Sequence, residues 1–311
     1  MRFYLQARER PAFCEDDKGV YSSIRVRKRS NIMTEYRKIK KITKGNAAVD
    51  GAGVHLVRVI GFNDVNDYDP FLMLDAFDSE DPDDYTAGFP WHPHRGIETV
   101  TYLIKGDIEH GDNLGNSGSI KDGECQWMTA GSGIIHQEMP KPSEHMLGAQ
   151  LWINLPAKDK MTAPKYGDIK SADVPVITEE GTKIHVIAGR YLENSGAFRG
   201  SFVDASYLDV EMEPGSSWDY ESEAGSTLFV YVVTGSAAFE PDGEVRNAKQ
   251  ALLFGEGRCI SVSAGSGGVR FLLLSAQPLH EPVAWGGPIV MNTEDELNEA
   301  FRELDDGTFI R

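Results

Sequence analysis

At 311 residues and a formal net charge of −17, the chain has room for two domains with separate cores. Acidity of that size excludes sequence-independent binding to nucleic-acid phosphates, which needs basic surface. The three cysteines, Cys14, Cys125 and Cys259, form no Cys-x-x-Cys pair. They exclude a disulfide framework and a thiolate zinc site, and they fit a reducing compartment.

No apolar run reaches the length of a membrane span, and the N-terminus lacks the apolar core of a signal peptide. A soluble cytoplasmic protein, touching neither membrane nor nucleic acid directly, is expected. Residues 1–32 dissent in charge, with eight Lys/Arg against four Asp/Glu. Residues 1–35 read as a disordered extension ahead of a second candidate start at Met33, in preference to a basic arm that grips an anion.

From Ile42 onward the chain alternates short apolar strands with Gly, Asn and Asp turns. Val54–Ile60, Thr99–Ile104, Gly148–Leu155 and Lys183–Ala188 are the plainest strands. No helix-period stripe longer than a couple of turns occurs before residue 290, so the body is all-β. The acidic run Asp78–Asp84 reads as a solvated loop. Pro156, Pro164 and Pro175 mark a connector, which divides a domain at 36–160 from one at 161–285. Residues 286–311 close the chain with a strand and a helix. Thr293-Glu-Asp-Glu296 is a capping box, and Leu297, Ala300, Phe301 and Leu304 form one apolar face that must dock on a barrel.

The stretch Gly88–Pro140 carries the chemistry. It holds four of the eight histidines, two of them as His92-Pro-His94 and a third in His136-Gln-Glu138. On a strand, residues i and i+2 face the same way, so each pair converges on one point. Pro93 lacks an N–H and suits an edge strand. Two neighbouring strands would gather three imidazoles and a carboxylate around one cavity, with the Gly131 and Gly133 turn bringing the second strand close. Glu98, four residues past His94, falls on the same face by strand parity and competes with Glu138 for the carboxylate role. Tyr102 reads as core, and His110 as a turn residue. His55, His145, His185 and His280 have no partner at metal-ligand spacing.

A repeat runs through the second half. Glu98–Gly106 aligns with Thr227–Gly235, which sets Glu221 and Glu223 where His92 and His94 stand. Ala130–Gly133 aligns with Phe254–Gly257, which sets Ile260 and Val262 opposite His136 and Glu138. Ile and Val donate nothing to a metal, so the second copy is expected to be empty.

His92-x-His94-x3-Glu98-x7-Gly106 with Gly133-x2-His136 resembles the two motifs of the cupin superfamily. Asp69–Asp75, Gly88–Tyr102, Gln126–Pro140, Gln150–Pro156 and Gly287–Thr293 resemble the pirins in finer detail, over roughly residues 36–305. The resemblance implies two tandem cupin barrels (double-stranded β-helix, jelly-roll-like) with a C-terminal helix. It implies one iron(II) in the N-terminal barrel, held by His92, His94, His136 and Glu138, with Glu98 behind them. Manganese, cobalt, nickel, copper or zinc could occupy the same donor set.

The resemblance further implies quercetin 2,3-dioxygenase activity, with a flavonol-like aromatic substrate and dioxygen. Glu138 or Glu98 would take the flavonol 3-hydroxyl proton. Phe71, Phe89, Trp91 and Met139 are candidate apolar walls. The alternative it implies is an iron-dependent regulatory module, a transcriptional or metabolic coregulator that binds a protein partner without catalysis.

Overall fold

The computed structural model describes residues 35–198 and 202–311; the expected extension lies almost wholly outside them. Strands dominate, in two barrels followed by a short tail. In chain order the first strands are β1 (Ile39–Lys44), β2 (Asn46–Asp50), β3 (Val54–Ile60), β4 (Phe71–Ser79), β5 (Phe89–His94) and β6 (Ile97–Lys105). Next come β7 (Asp107–Asp112), β8 (Ser117–Lys121), β9 (Cys125–Thr129), β10 (Ile134–Pro140), β11 (Met146–Asn154) and β12 (Lys165–Ile169). The first barrel pairs a seven-stranded sheet, in the order β12-β9-β6-β11-β4-β3-β2, with a four-stranded sheet in the order β5-β10-β7-β8.

The second barrel is one nine-stranded sheet folded on itself. Its 18-residue strand Cys259–Ala276 serves both walls: the first part pairs with Ser217–Glu221, the later part with Ser206–Met212, and Thr227–Ala238 pairs along it from Ser263 to Ala276. The pairing crosses the division expected between residues 160 and 161. β1 pairs with Gln250–Phe254 of the second barrel, while β12 pairs with β9 of the first. Open edge backbone on each barrel accepts whichever strand supplies N–H and C=O groups, irrespective of chain order.

Alternation along β6 shows how the barrels meet. Val100, Tyr102 and Ile104 belong to an apolar cluster shared with Tyr207, Phe229, Tyr231 and Leu274 of the second barrel. Ile97 and Leu103 join clusters of the first barrel. Each large side chain fully buried there contributes about 1.5–3 kcal/mol. A polar pin crosses the same contact. Tyr102 donates its hydroxyl to Asp209 at 2.7 Å, and Asp209 also takes two bonds from Arg270. Burial and the neighbouring Asp209 carboxylate push the Tyr102 phenol well up.

The capping box forms as read. Thr293 Oγ1 accepts from the Glu296 amide, and Glu296 accepts from the Thr293 amide at the start of helix Glu294–Asp305. Leu297 and Ala300 pack with Ala284, Ile289, Met291 and Phe309. The tail docks on the first barrel, where Ile289 bridges Arg95 and the Val290 amide donates to the Arg95 carbonyl at 3.1 Å. None of the helices among the described residues is long and apolar enough to cross a membrane.

Candidate metal centre

β5 is an edge strand, so Pro93 costs no ladder bond. It runs antiparallel to β10 with His92 opposite His136 and His94 opposite Ile134. Three imidazoles therefore converge, with ring centroids 4.3 to 5.1 Å apart. One ligand nitrogen from each of His92, His94 and His136 lies within 4.8 Å of the others.

Their hydrogen bonds suit a cation. His92 Nδ1 lies 2.8 Å from the Pro90 carbonyl and His94 Nδ1 lies 3.0 Å from the Pro288 carbonyl. A carbonyl only accepts, so each Nδ1 carries a proton, which leaves Nε2 as the nitrogen turned to a metal. His136 is buried with neither ring nitrogen hydrogen-bonded. Burial, then the neighbouring His92, pushes His94 down to about 3. Burial followed by His94 and His92 holds His136 well below its ordinary value. Three converging imidazoles, two of them held neutral by burial, fit a divalent transition metal.

The carboxylates divide. Glu138 follows His136 by two residues, is buried and faces the same interior, as its spacing requires. It does not join the three histidines as a group; its Oε1 accepts from Thr101 at 2.8 Å and its Oε2 from Gln150 at 2.7 Å. Glu98 does not share the face of His94, contrary to strand parity. Gly96, with φ of +78°, breaks the strand between His94 and Glu98 and resets the parity. Glu98 alternates with Val100 and Tyr102 onto the face toward the second barrel, where it accepts from Thr129 at 2.7 Å and its second oxygen has no hydrogen bond. Burial raises its carboxyl pKa.

A cleft of about 950 Å³ opens onto His92 and His94. Of the walls expected from the sequence, Phe89 lines it; Phe71 is buried between the barrels and Trp91 stands largely exposed. Met139 packs at Gly88, outside the lining. Met73, Gln150, Trp152, Trp285 and Pro288 line it without having been singled out as walls. Trp152 meets His94 edge-on at 5.0 Å, Trp285 lies 5.8 Å from Trp152, and exposed Phe62 lies 5.7 Å from Trp285. A polar end is set by Arg58, which forks onto buried Asp75 at 3.0 and 2.7 Å. The one available signal was Gln150, a polar residue inside an otherwise apolar strand.

His110 is not a turn residue. It lies on β7 directly opposite Glu138, buried, with its ring against the Tyr166 hydroxyl and Nε2 3.3 Å from Asp168. His185 also has neighbours, forming a second group with Asp209 and Glu211. There Arg270 already occupies both carboxylates, at 2.5 and 2.9 Å, so the negative charge is answered from within the protein. His55 and His145 pair with Asp84 and Asp78.

The second copy of the motif is apolar. Tyr220 stands opposite Ile260, as His92 stands opposite His136, and Trp218 stands opposite Val262. The equivalence is therefore one residue off the sequence alignment. Glu221 and Glu223 are exposed, and Glu221 pairs with Arg258 outside the barrel. A slip of one residue exchanges the two faces of a strand.

Two tandem barrels of this topology, one with a histidine cluster and one without, define a duplicated cupin. Residues 53–153 match the family described as Pirin, and residues 207–310 match the Pirin C-terminal cupin domain. The chain belongs to the pirin family. It is 44% identical to a Pseudomonas aeruginosa protein provisionally named a quercetin 2,3-dioxygenase, over 88% of this chain and 99% of that protein. It is 36% identical to human pirin, over 82% of this chain and 88% of that protein. The crystal structure of quercetin 2,3-dioxygenase from Acinetobacter baumannii superposes with a TM-score of 0.80 at 33% identity, covering 88% of this chain and 98% of that one.

Proposed function

We propose that this protein is a metal-dependent dioxygenase of the quercetin 2,3-dioxygenase type, acting on a flavonol or a closely similar hydroxylated aromatic. The observation that carries the proposal is the pairing of three converging imidazoles with an aromatic-lined cleft that ends on two of them. The similarity to proteins named for that activity supports it.

His92, His94 and His136 would hold one iron(II) per chain, with Glu138 as the candidate fourth donor. Bound there, the ion would supply Lewis acidity and the redox chemistry that lets dioxygen react with an enolate.

The chain's own residues do the rest. Phe89 and Trp152 exclude water from the apolar side of the cleft and orient a flat ring toward the imidazoles. Glu138 is the base for the substrate hydroxyl, its carboxylate oriented by Thr101 and Gln150. Gln150 couples that base to the wall, since its Oε1 accepts from Trp152 at 3.3 Å. A cytoplasmic location agrees with the cysteine usage.

The test is anaerobic reconstitution with iron(II), followed by quercetin and oxygen. Loss of the flavonol absorbance with release of carbon monoxide supports the proposal. Full metal loading with neither change sinks it.

A further inference from the structure

We propose that the C-terminal segment Ala284–Met291 is a working part of the histidine centre, with Lys160 as the positioning residue that seats it. The inference rests on the metal-centre reading above and adds an element to it from the far end of the chain. His94 has its Nδ1 partner in the carbonyl of Pro288, 194 residues away in sequence. The direction in which His94 presents Nε2 therefore depends on where that segment lies.

Its place is fixed by Lys160, whose buried Nζ donates to the Val290 carbonyl at 2.9 Å, the Gly96 carbonyl at 2.9 Å and Asn154 Oδ1 at 2.5 Å, while burial pushes its pKa down to about 7. One side chain thus ties the tail to the turn that follows His94. Gly96 is shaped to the same contact, since a Cβ there would stand 1.9 Å from the Val290 carbonyl oxygen. Trp285, on the same segment, lines the cleft. Outer partners that orient a ligating histidine typically carry 10–100-fold in metal affinity. Linkage makes the effect mutual, so a metal bound to His94 must in turn hold the segment.

Wild-type protein and Lys160→Met are titrated with cobalt(II), reading metal per chain, dissociation constant and the visible ligand-field bands. About a 10–100-fold weaker affinity with shifted bands is expected for Lys160→Met. Tyr102→Phe, which loosens the contact between the barrels and leaves the tail alone, should bind as wild type does. Unchanged affinity and bands in Lys160→Met, or an equal loss in Tyr102→Phe, overturn the inference.

If Lys160→Met does not fold, the wild type decides by hydrogen exchange. The Val290 amide should exchange more slowly once cobalt is bound, and an unchanged rate overturns the inference. Wild-type protein that takes up no cobalt overturns the metal-centre reading and this inference with it, an outcome that involves no variant.

Discussion

The two barrels put opposite chemistry at matching places. Where β10 of the first sets His136 across from His92, the strand Cys259–Ala276 of the second sets Ile260 across from Tyr220. Ile260, Val262, Trp218, Tyr220 and Phe271 form one apolar cluster, and the Trp218 indole donates to Tyr191 at 2.7 Å. Ile260 and Val262 carry no polar side-chain group. In the first barrel His136 keeps two buried nitrogens without hydrogen bonds, at a cost of about 1–3 kcal/mol for each such group. One copy of the fold is filled for stability, and the other carries a standing cost that a bound metal would offset.

Changing His136 tests the contrast most severely. His136→Ala should weaken metal binding by more than about 100-fold, beyond the loss of an outer partner, in a competitive chelator titration. Binding that persists would remove β10 from the centre.

The reciprocal change, Ile260→His, should not create a second centre, because Tyr220 and Trp218 offer no matching lone pairs. It should bury an unpartnered imidazole and destabilise the fold by about 2–4 kcal/mol in urea unfolding, with metal per chain unchanged. A second equivalent of metal would show that the second barrel is latent and not filled.

Gln150→Leu removes the donor to Glu138 Oε2 and should cost about 1–3 kcal/mol of stability. It should also reduce kcat more than metal occupancy, which elemental analysis and turnover measured on one sample will separate.

The smallest effect is expected at Glu98. Its carboxyl pKa is raised by burial, so between the ordinary carboxylate value and the raised one the folded state holds a proton that the unfolded chain has released. Stability therefore falls as pH rises from the ordinary carboxylate value through the raised one, and the cost is full above that. Glu98→Gln should be the more stable form by about 1 kcal/mol at neutral pH. The advantage should close in acid, and metal affinity should not change. Loss of metal in this variant would return Glu98 to the centre.

The histidine pairs and the all-β duplication were legible because strand periodicity is a local property. Parity places His92 with His94, and His136 with Glu138, without knowledge of anything distant. Parity failed where the chain stopped being one strand. Gly96 reset it before Glu98, and a one-residue difference between the copies moved Glu221 and Glu223 outward while Tyr220 turned in. The cleft walls were not legible in the sequence for another reason. Phe71 and Phe89 are the same residue type on different strands, and only packing sends one between the barrels and the other to the cleft.

The sequence by itself determined the chemistry available: imidazoles at strand spacing in the first copy, and aliphatic residues at the matching later positions of the second. Those follow from covalent order and a two-residue repeat. Tertiary structure alone decided which groups meet. It brought Gln150 and Thr101 to Glu138, carried the Pro288 carbonyl to His94, and passed β1 to the other barrel. Each of these is a contact between different strands or segments, made where an unsatisfied donor or acceptor meets its partner. Local periodicity holds no record of that meeting.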